Sequence, residues 1–444
     1  THRMSSAASD VYKRQTKFWF TMNIMILGSG GREHAFAYKI KQSTLCKNLY
    51  VAPGNSGTSE IATNLEIQVN QFELIADAIQ KYMISMVIVG PEVPLVNGLN
   101  DYIKSHKKLS NVIVIGPNQH ASQLEGSKDF AKDFLNRHNI PTAAHKTFTA
   151  QTIDDAFSYI DSMSAPYVLK ADGLAAGKGV LIIDDPNEAK NELNEMLIKS
   201  KFGEAGNSVV IEEFLDGIEL SCFALTDGKD YKLLPSAKDY KRIGEGDTGL
   251  NTGGMGAVSP PTFLTQDFFN KIEKKVIKPT IDGLKNDNID YQGFLFFGLI
   301  KVKEEPYVIE YNVRMGDPES EVVLPRIKSD FLELLLSVGK GELSNHQVEI
   351  DSQQAATVFL VSGGYPEKYE KGKEIFGLDI KSDSILFHAG AKSENGKIKT
   401  NGGRVIAITS MADSVKDALE KSYETIKNIK FEKMNYRKDI GFDL

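Results

Sequence analysis

The sequence predicts a multidomain protein in which an α/β domain comes first and α+β structure follows. The chain has 444 residues, enough for about three domains of ordinary size. Short apolar runs alternate with helical stretches in the first part, whereas hairpin-like strands and isolated helices follow from residue 126. Near residue 350, strands separated by glycine-rich turns begin a third pattern, so we expect a small α+β domain there.

Composition excludes several classes of function. Apolar residues make up 41% of the chain and charged residues 25%, which is ordinary for a globular protein in water. The net charge of −7 argues against nucleic acid as a partner, because such proteins need a basic face. No apolar run is long enough to span a membrane as a helix. Cys46 and Cys222 are too few for a disulfide framework, so we expect two buried thiols in a cytoplasmic protein.

Residues 1–21 have neither a helical nor a strand period. A secretory signal would need a longer apolar core, and Asp10 weakens the alternative of a transit peptide. We therefore interpret residues 1–21 as a non-native or disordered extension. The natural chain is expected to start at Met22, where a strand begins at once.

Residues 22–27 form a continuous apolar run, the pattern of a strand buried on both faces, and a glycine-rich turn and a helical stretch follow. Similar runs at residues 49–52, 86–89 and 112–115 each end in glycine or proline. Strand–helix–strand connections of this kind form a parallel sheet with helices on both faces. The strand ends then share one edge, where ligands bind in open α/β sheets.

The turn after the first strand, residues 28–31, resembles a dinucleotide-binding loop, but Glu33 replaces its third glycine. The second strand also ends without the acidic residue that holds ribose hydroxyls, which disfavours a nicotinamide oxidoreductase. Backbone N–H groups at the helix start, with the charge of Arg32, suit a sugar phosphate better. The alternative, a tight turn that binds no ligand, has the same weight as a sugar-phosphate site. We expect His34 to be an ordinary helix-face residue.

A second loop, residues 171–179, is rich in glycine and alanine and joins two predicted strands. It is not a Walker A loop, because its spacing is too short and Gly179 replaces the magnesium-binding hydroxyl residue. A backbone without bulky side chains can lie against phosphates, and Lys170 and Lys178 can neutralise them. The alternative is a flexible loop with a solvated lysine.

Consecutive acids, Glu212 and Glu213, follow the apolar run 209–211. The backbone of residues 213–215 could recognise an adenine edge, and Glu219 could accept ribose hydroxyls. Exposed acids at a strand end are common, so this motif alone is a weak indication.

The segment 307–319 carries a candidate metal site. Glu310 and Asn312 lie two residues apart in a predicted strand, so they share a face. Two oxygen donors with room for phosphates and water suit Mg²⁺. Because the neighbouring run 293–300 is apolar, a buried Glu310 would need a cation. Arg314 continues the face and could hold a carboxylate, whereas the alternative is a half-solvated polar strand.

Two polar loops, residues 239–242 and 249–256, complete the set. Their backbone donors and the amide of Asn251 suit a small zwitterion or an acyl phosphate. In isolation they are ordinary loops.

Over residues 22–441 the chain resembles the phosphoribosylamine–glycine ligases, or glycinamide ribonucleotide synthetases, of the ATP-grasp superfamily. No single motif is decisive, but their order is highly specific: GSGGREHA, PGN, GPEVPLVNGL, LEGSKDFAKDFL, LKADGLAAGKGV, IEEFLDGIE, NTGGMGAVSP, IEYNVRMGDPE and TNGGRV. The resemblance implies a Rossmann-like N-terminal domain, a pair of ATP-grasp domains with a mobile lid, and a small C-terminal domain. The corresponding boundaries are 22–123, 124–347 with the lid at about 145–217, and 348–444.

The resemblance also implies the reaction. ATP, glycine and 5-phosphoribosylamine would give glycinamide ribonucleotide, ADP and phosphate through a glycyl phosphate, in de novo purine biosynthesis. The cofactors would be ATP with Mg²⁺ or Mn²⁺, and the protein would be monomeric. Alternatives are another ATP-grasp purine enzyme that uses formate or bicarbonate, and a non-catalytic ATP-binding sensor.

Matching motifs imply the site residues. The ATP contacts would be Lys128, Lys170, Gly177, Lys178, Gly179, Glu212, Glu213, Leu215 and Glu219. The metal ligands would be Glu310 and Asn312. Substrates would contact Gly30, Gly31, Arg32, Glu33, Pro53, Gly54, Asn55, Asn251, Gly254, Met255 and Arg314. The catalytic residues would be Lys178, Arg314 and Asp239.

The chain departs from the family pattern near this predicted site. Lys238 and Tyr240 stand where the family usually has glutamine and histidine, Leu250 where it has proline, and Val313 where it often has cysteine. These changes leave the substrate affinity open. They do not touch the lysines or the predicted metal pair.

Overall fold

The computed structural model describes residues 21–174 and 179–444. The predicted extension at residues 1–21 lies outside these residues except for Thr21. Gly177 and Lys178, which the sequence places in the ATP site, lie outside them as well.

The N-terminal region is a parallel sheet, as the alternation of strands and helices predicts. Its elements are β1 Met22–Gly28, α1 Gly31–Lys41, β2 Cys46–Pro53, α2 Thr58–Ile61, β3 Thr63–Asn64, α3 Phe72–Lys81, β4 Ile84–Val89, α4 Glu92–Val96, α5 Leu99–Ser105 and β5 Ile113–Ile115. The strand order is β3-β2-β1-β4-β5, and every pairing is parallel. The sequence missed β3, whose two residues are too few to form a pattern.

The next region contains a smaller antiparallel sheet. Its elements are α6 Gln123–Gly126, α7 Lys128–Arg137, β6 His145–Thr149, α8 Ile153–Ser162, β7 Tyr167–Ala171, β8 Val180–Ile183, α9 Pro186–Leu197 and β9 Ser208–Glu213. The order is β6-β9-β7-β8. The strand pair β7–β8 is antiparallel, as predicted for the strands that flank the 171–179 loop. A separate core packs this sheet against α8 and α9 and includes Phe148, Ile160 and Leu193. That the region acts as a mobile lid stays a prediction.

The remainder of the chain builds one large antiparallel sheet and two separate two-stranded sheets. Before residue 350 its elements are β10 Ile218–Thr226, β11 Tyr231–Asp239, β12 Arg242–Gly244, β13 Thr248–Asn251, β14 Gly256–Ser259, α10 Gln266–Ile272, α11 Lys278–Asn286, β15 Gly293–Val302, β16 Glu305–Asn312, α12 Ser320–Val323 and α13 Phe331–Lys340. After it come β17 Gln354–Val361, β18 Ile385–His388, β19 Ala391–Glu394, β20 Lys397–Thr400, β21 Arg404–Ala412 and α14 Val415–Ile426.

The sheet order, β16-β15-β10-β11-β14-β17-β21-β18, joins two regions that the sequence predicts as separate domains. The short strand β14 pairs with β11 on one side and with β17 on the other. One hydrophobic core also includes residues from all three parts of the chain, among them Phe36, Phe331 and Phe359. The last region is therefore small and α+β as predicted, but its strands continue the preceding sheet.

The last helix, α14, is shorter than the predicted span 411–429. Strand β21 continues through Met411 to Ala412, so the helix cannot begin there. Ser414 caps it instead, since its hydroxyl accepts a hydrogen bond from the N–H of Asp417 at 3.1 Å. Among all the described helices, none has the length and apolar character needed to cross a membrane.

Two histidines meet where α1 packs against β18. The backbone N–H of His388 donates to Nδ1 of His34 at 2.8 Å, and the hydroxyl of Ser56 lies 2.8 Å from Nδ1 of His388. Both side chains are buried. Burial lowers the pKa of His34 to about 3, with the neighbouring His388 adding to the effect, and lowers the pKa of His388 to about 4. His34 is thus a partner in a contact between regions rather than an ordinary helix-face residue.

This pair predicts a loss of stability in weak acid. The unfolded imidazoles bind protons below pH about 6.5 while the folded ones stay neutral, so stability present at pH 7 is lost as the pH falls. In His34→Asn, the decrease in unfolding free energy between pH 7 and pH 5 should be smaller than in wild type by about 2 kcal/mol. Urea unfolding followed by circular dichroism measures it. The exposed His120 provides the control, His120→Asn, which should behave as wild type; an unchanged pH dependence in His34→Asn would contradict the assignment.

Candidate active site

A buried carboxylate, Glu212, lies between two lysines at the end of β9. Its oxygens are 2.9 Å from Nζ of Lys170 on β7 and 2.9 Å from Nζ of Lys132 on α7. Burial alone would raise the pKa of Glu212, but the two ammonium groups hold it below the ordinary value. The structure therefore brings the predicted Lys170 and Glu212 together and adds Lys132, which the sequence missed.

Lys128 lies beside this cluster, at the start of α7. Its Nζ is 3.3 Å from the carbonyl oxygen of Gly173, at the beginning of the 171–179 loop. The carboxylate of Asp172 accepts hydrogen bonds from the N–H of Asp129 at 2.9 Å and from the hydroxyl of Ser127 at 3.1 Å. The loop is thus anchored to the start of α7, where the helix dipole and Lys128 favour an anion.

The other end of that loop and the acidic strand end are also ordered by backbone contacts. The carbonyl oxygen of Gly179 accepts a hydrogen bond from Ala171 at 2.8 Å. The carboxylate of Glu213 accepts from the N–H of Ala144 at 2.8 Å. Leu215 lies in the connection between β9 and β10 and is half-buried.

Glu310 and Asn312 lie at the end of β16 and share a face, as predicted. Nδ2 of Asn312 donates to Oε1 of Glu310 at 3.4 Å, which leaves the other carboxylate oxygen and the amide oxygen as acceptors. Glu310 is exposed, so the argument that its burial demands a cation was wrong. In the described part of the chain, no group of three or more His, Cys, Asp or Glu side chains could hold a metal ion. This donor pair fits Mg²⁺, which takes few protein carboxylates and fills its shell with water and phosphate.

A second charged group extends the cluster along β10 and β11. Glu219 pairs with Lys241 at 2.6 Å, and Lys241 holds the pKa of Glu219 below its usual value. Burial raises the pKa of Asp239 despite the nearby lysines. Burial and the charge of Asp239 raise the pKa of the buried Glu319 to about 7. Burial lowers the pKa of Lys128, and the charge of Glu310 opposes this shift. The carboxylates of Asp239, Glu219 and Glu310 raise the pKa of Lys241 despite its burial.

Arg314 extends the site but is not free of protein partners. Its Nη2 lies 2.7 Å from Glu125, and its Nε lies 3.3 Å from Glu92. Burial raises the pKa of Glu125 to about 7 in spite of Arg314. The second carboxylate oxygen of Glu125 accepts from the N–H of Val313 at 2.7 Å. Two protein carboxylates therefore orient the guanidinium that the sequence assigns to a substrate carboxylate.

The loop 251–256 is held by its backbone. Thr252 donates to the carbonyl oxygen of Lys241 at 2.8 Å, and Met255 donates to that of Tyr240 at 2.7 Å. Gly254 has a φ of +114°, and a Cβ there would lie 2.4 Å from Cδ of Pro318, so only glycine fits. The side chain of Met255 is fully buried in the core, and its assignment as a substrate contact stays a prediction.

A cavity of about 750 Å³ opens between the N-terminal sheet and the last region. Of the predicted substrate residues, Gly30, Pro53, Gly54 and Asn55 line it. The sequence missed other lining residues, namely Ser29, Asp317, Tyr365, Lys392, Asn401 and Arg404. Ser29, Asp317, Asn401 and Arg404 each lie in a motif quoted above, whereas Tyr365 and Lys392 lie in none of them.

Gly31, Arg32 and Glu33 are not among the residues that line this cavity, and their assignment as substrate contacts stays a prediction. The carboxylate of Glu33 accepts the N–H of Gly30 at 2.5 Å, so the helix start expected to bind phosphate is capped by its own chain. The other oxygen of Glu33 lies 2.7 Å from Nε of Arg32, whose Nη1 donates to the carbonyl oxygen of Met315 at 3.1 Å. The buried charges of Arg32 and Glu33 therefore pair with each other and hold the turn in place.

Arg404 connects the cavity with the loop 251–256. Its guanidinium lies 2.9 Å from the carboxylate of Asp317 and donates to the carbonyl oxygens of Asp317 and Gly253. The hydroxyl of Tyr365 accepts the N–H of Gly253 at 2.8 Å. The charged cluster and the cavity therefore meet at this one loop.

Because Glu212 pairs with both Lys132 and Lys170, its substitution should have a large effect on stability. Glu212→Gln keeps the shape but leaves two buried ammonium groups without a counter-charge, so the unfolding free energy in urea should fall by about 3–5 kcal/mol. Glu213→Gln is the matched control, because the amide oxygen of glutamine can still accept the N–H of Ala144 and this exposed change should cost at most about 1 kcal/mol. Equal unfolding free energies for the two variants would contradict the ion-pair account.

Family models match almost the whole described chain. They are those of the phosphoribosylglycinamide synthetase N domain at residues 22–125, the ATP-grasp (A) domain at 126–320 and the C domain at 355–443. The phosphoribosylamine–glycine ligase of Fusobacterium nucleatum is 42% identical over 95% of this chain and 98% of its own length. A crystal structure of that ligase from Thermotoga maritima has a TM-score of 0.81 and 35% identity, over 94% of this chain and 99% of the other.

A bifunctional purine biosynthetic protein of Pichia angusta is 43% identical over 95% of this chain, which spans only 53% of that longer protein. The identity to full-length relatives decides the assignment: the chain belongs to the phosphoribosylamine–glycine ligase family and has its ATP-grasp fold.

Proposed function

We propose that this protein joins glycine to 5-phosphoribosylamine with ATP, giving glycinamide ribonucleotide, ADP and phosphate, as a step of purine biosynthesis. The observation that carries the proposal is the meeting of the lysine-rich cluster and the cavity at the loop 251–256. An activated glycine on one side of this loop would be within reach of a sugar amine on the other.

The chemistry explains why two neighbouring compartments are needed. A carboxylate does not react with an amine at neutral pH, because its oxygen is a poor leaving group. Attack of the glycine carboxylate on the γ-phosphorus of ATP forms an O–P bond and releases ADP. Attack of the sugar amine on the carbonyl carbon of glycyl phosphate then forms the amide and releases phosphate. The site must exclude water, which would hydrolyse the intermediate.

The ATP side of the site would use cations already in place. Lys128 and Lys170 would bind phosphate oxygens, and Lys170 would leave part of its contact with Glu212 to do so. Lys178 and Gly177 are assigned here from their sequence motif, because they lie outside the described residues. The base and ribose would lie along Gly179, Glu213, Leu215 and Glu219, next to this cluster.

Glu310 and Asn312 would hold Mg²⁺ or Mn²⁺ through the carboxylate and the amide oxygen. The bound ion would neutralise negative charge on the phosphates as the γ-phosphoryl group is transferred. The protein's own lysines would neutralise the rest of that negative charge. Because catalysis then depends on positioning and charge, we assign no obligatory general base.

Glycine would lie between Asp239 and Arg314, at the loop that contains Asn251 and Gly254. Asp239 would receive the ammonium group, and Arg314 would orient the carboxylate and stabilise the tetrahedral oxyanion. Because Glu92 and Glu125 fix the guanidinium of Arg314, its direction is set before the substrate binds.

The sugar phosphate would occupy the cavity. Its phosphate would meet Lys392, while Asp317 and Arg404 face the loop and Gly54 and Asn55 line the cavity wall. With its small-molecule substrates, the protein would act as a monomer in the cytoplasm.

The proposed reaction is tested by ADP release with Mg²⁺ while glycine or phosphoribosylamine is omitted in turn. The amine is made in situ because such sugar amines hydrolyse readily. ADP release that needs both substrates, with glycinamide ribonucleotide identified by mass, is the expected result. Release that ignores glycine would point to formate or bicarbonate as the acid, and tight ATP binding without turnover would point to a sensor.

The metal assignment predicts a higher Mg²⁺ requirement for Glu310→Gln. Loss of one carboxylate ligand should raise the Mg²⁺ concentration at half-maximal rate by about tenfold or more, at fixed ATP. Glu304→Gln, in the exposed turn between β15 and β16, is the control and should keep the wild-type requirement. An unchanged titration curve for Glu310→Gln would remove Glu310 from the metal site.

The cavity assignment predicts a selective effect for Lys392→Gln. Without the ammonium group, the KM for phosphoribosylamine should rise about tenfold, and the KM for glycine and for ATP should stay within about twofold. Lys397→Gln, on the same β19–β20 hairpin but outside the cavity lining, is the control. A rise in the KM for ATP instead would place the sugar phosphate elsewhere.

A further inference from the structure

The seven residues 437–443, here called the strap, cross the end of β11 after α14. They contact the segment 238–249, which carries the departures from the family pattern at Lys238 and Tyr240. None of these contacts belongs to the catalytic cluster or to the cavity described above.

Arg437 anchors the strap. Among the described residues it is the largest fully buried side chain, with 1% of its surface exposed. Its guanidinium lies 2.5 Å from the carboxylate of Asp247 and donates to the carbonyl oxygen of Arg242 at 3.2 Å. Asp439 accepts from two of its nitrogens at 2.8 Å each, and also accepts the N–H of Gly246 at 2.7 Å. The β12–β13 hairpin is therefore fastened to the strap by charge-assisted bonds.

Asp443 forms the second attachment. Its carboxylate accepts the hydroxyl of Tyr240 at 2.8 Å and lies 3.1 Å from Nζ of Lys238. The ammonium group of Lys238 also lies 4.2 Å from the centre of the Tyr240 ring. Lys238 and Tyr240 are both buried. A buried ammonium group needs a counter-charge, and among the described residues Asp443 forms its ion pair.

The alternation of side chains relates the strap to the active site. Lys238 and Tyr240 point to the strap, whereas Asp239 and Lys241 point to the other side, where Lys241 pairs with Glu219 at 2.6 Å. The backbones of Tyr240 and Lys241 also hold the loop 251–256 through two hydrogen bonds of 2.7 and 2.8 Å. The strap therefore contacts one face of the segment 238–241, and the opposite face carries Asp239, a proposed glycine contact.

We infer that Asp443 and Tyr240 are positioning residues for the glycine subsite, and that the strap sets the place of Asp239, Lys241 and the loop 251–256. Lys238 and Tyr240 do not touch a substrate and act through the strap. The inference rests on the proposed function for the identity of the substrate. The mechanical coupling between the strap and the loop 251–256 does not depend on that function.

The test compares Tyr240→Phe, Asp443→Ala and the double variant. Each single variant should lower kcat/KM for glycine about tenfold and leave the KM for ATP within about twofold. The double variant should lose little more than Asp443→Ala alone, because that substitution already removes the hydrogen bond that Tyr240→Phe deletes. Lys438→Gln, an exposed strap residue with neither an ion pair nor a hydrogen bond among the described residues, is the control and should match wild type.

Hydrogen–deuterium exchange of peptides from residues 239–256 gives a second reading that needs no turnover. Exchange there should rise in both single variants and stay at the wild-type level in Lys438→Gln. If wild type has no ligase activity, the proposed function fails, and increased exchange in the variants still supports the coupling. A lower unfolding midpoint with wild-type glycine kinetics and wild-type exchange, or additive losses in the double variant, would overturn the inference.

Discussion

The pairing of one short strand, β14, with two neighbours is the constraint on which the rest of the structure depends. It pairs with β11 of the central region and with β17 of the last region, so eight strands form one sheet. The loop 251–256 enters this strand directly and is therefore fixed in place. Because Arg404 and Tyr365 contact the loop from the other side, the last region becomes part of the site.

Charge balance is the second constraint. Glu212 compensates Lys132 and Lys170, and Arg314 compensates Glu92 and Glu125. Such buried pairs stabilise little compared with apolar packing, but removal of one partner leaves a costly unpaired charge. Their value in the proposed function would be geometric, because they hold cations and carboxylates in fixed directions around the space proposed for an anionic nucleotide and a small zwitterion. The same principle operates in the strap, where Asp443 compensates Lys238 on the reverse side.

Local patterns allowed the sequence to predict the parallel sheet, the β7–β8 pair and the common face of Glu310 and Asn312. Long-range contacts could not be predicted from the sequence. Lys132 has the pattern of an ordinary helical lysine, but it pairs with Glu212 on strand β9. Arg437 and Asp247 are far apart in sequence and meet only in the folded chain. The turn at residues 28–31 shows a second limit. Its motif left an anion site and a tight turn equally open, and in the structure Glu33 reaches back to accept the N–H of Gly30. The spacing of residues in a motif does not show whether a side chain of the protein already binds the N–H groups that a ligand would need.

The measurement that tests the central claim most directly is the fate of oxygen-18 from glycine labelled in its carboxylate. If glycine is activated as an acyl phosphate and then transferred to the sugar amine, one labelled oxygen must leave with the phosphate while the other remains in the amide. We predict one oxygen-18 atom in each phosphate released when both substrates are present. Unlabelled phosphate, formed along with product, would contradict the account, because the glycine carboxylate would then never have been bonded to phosphorus.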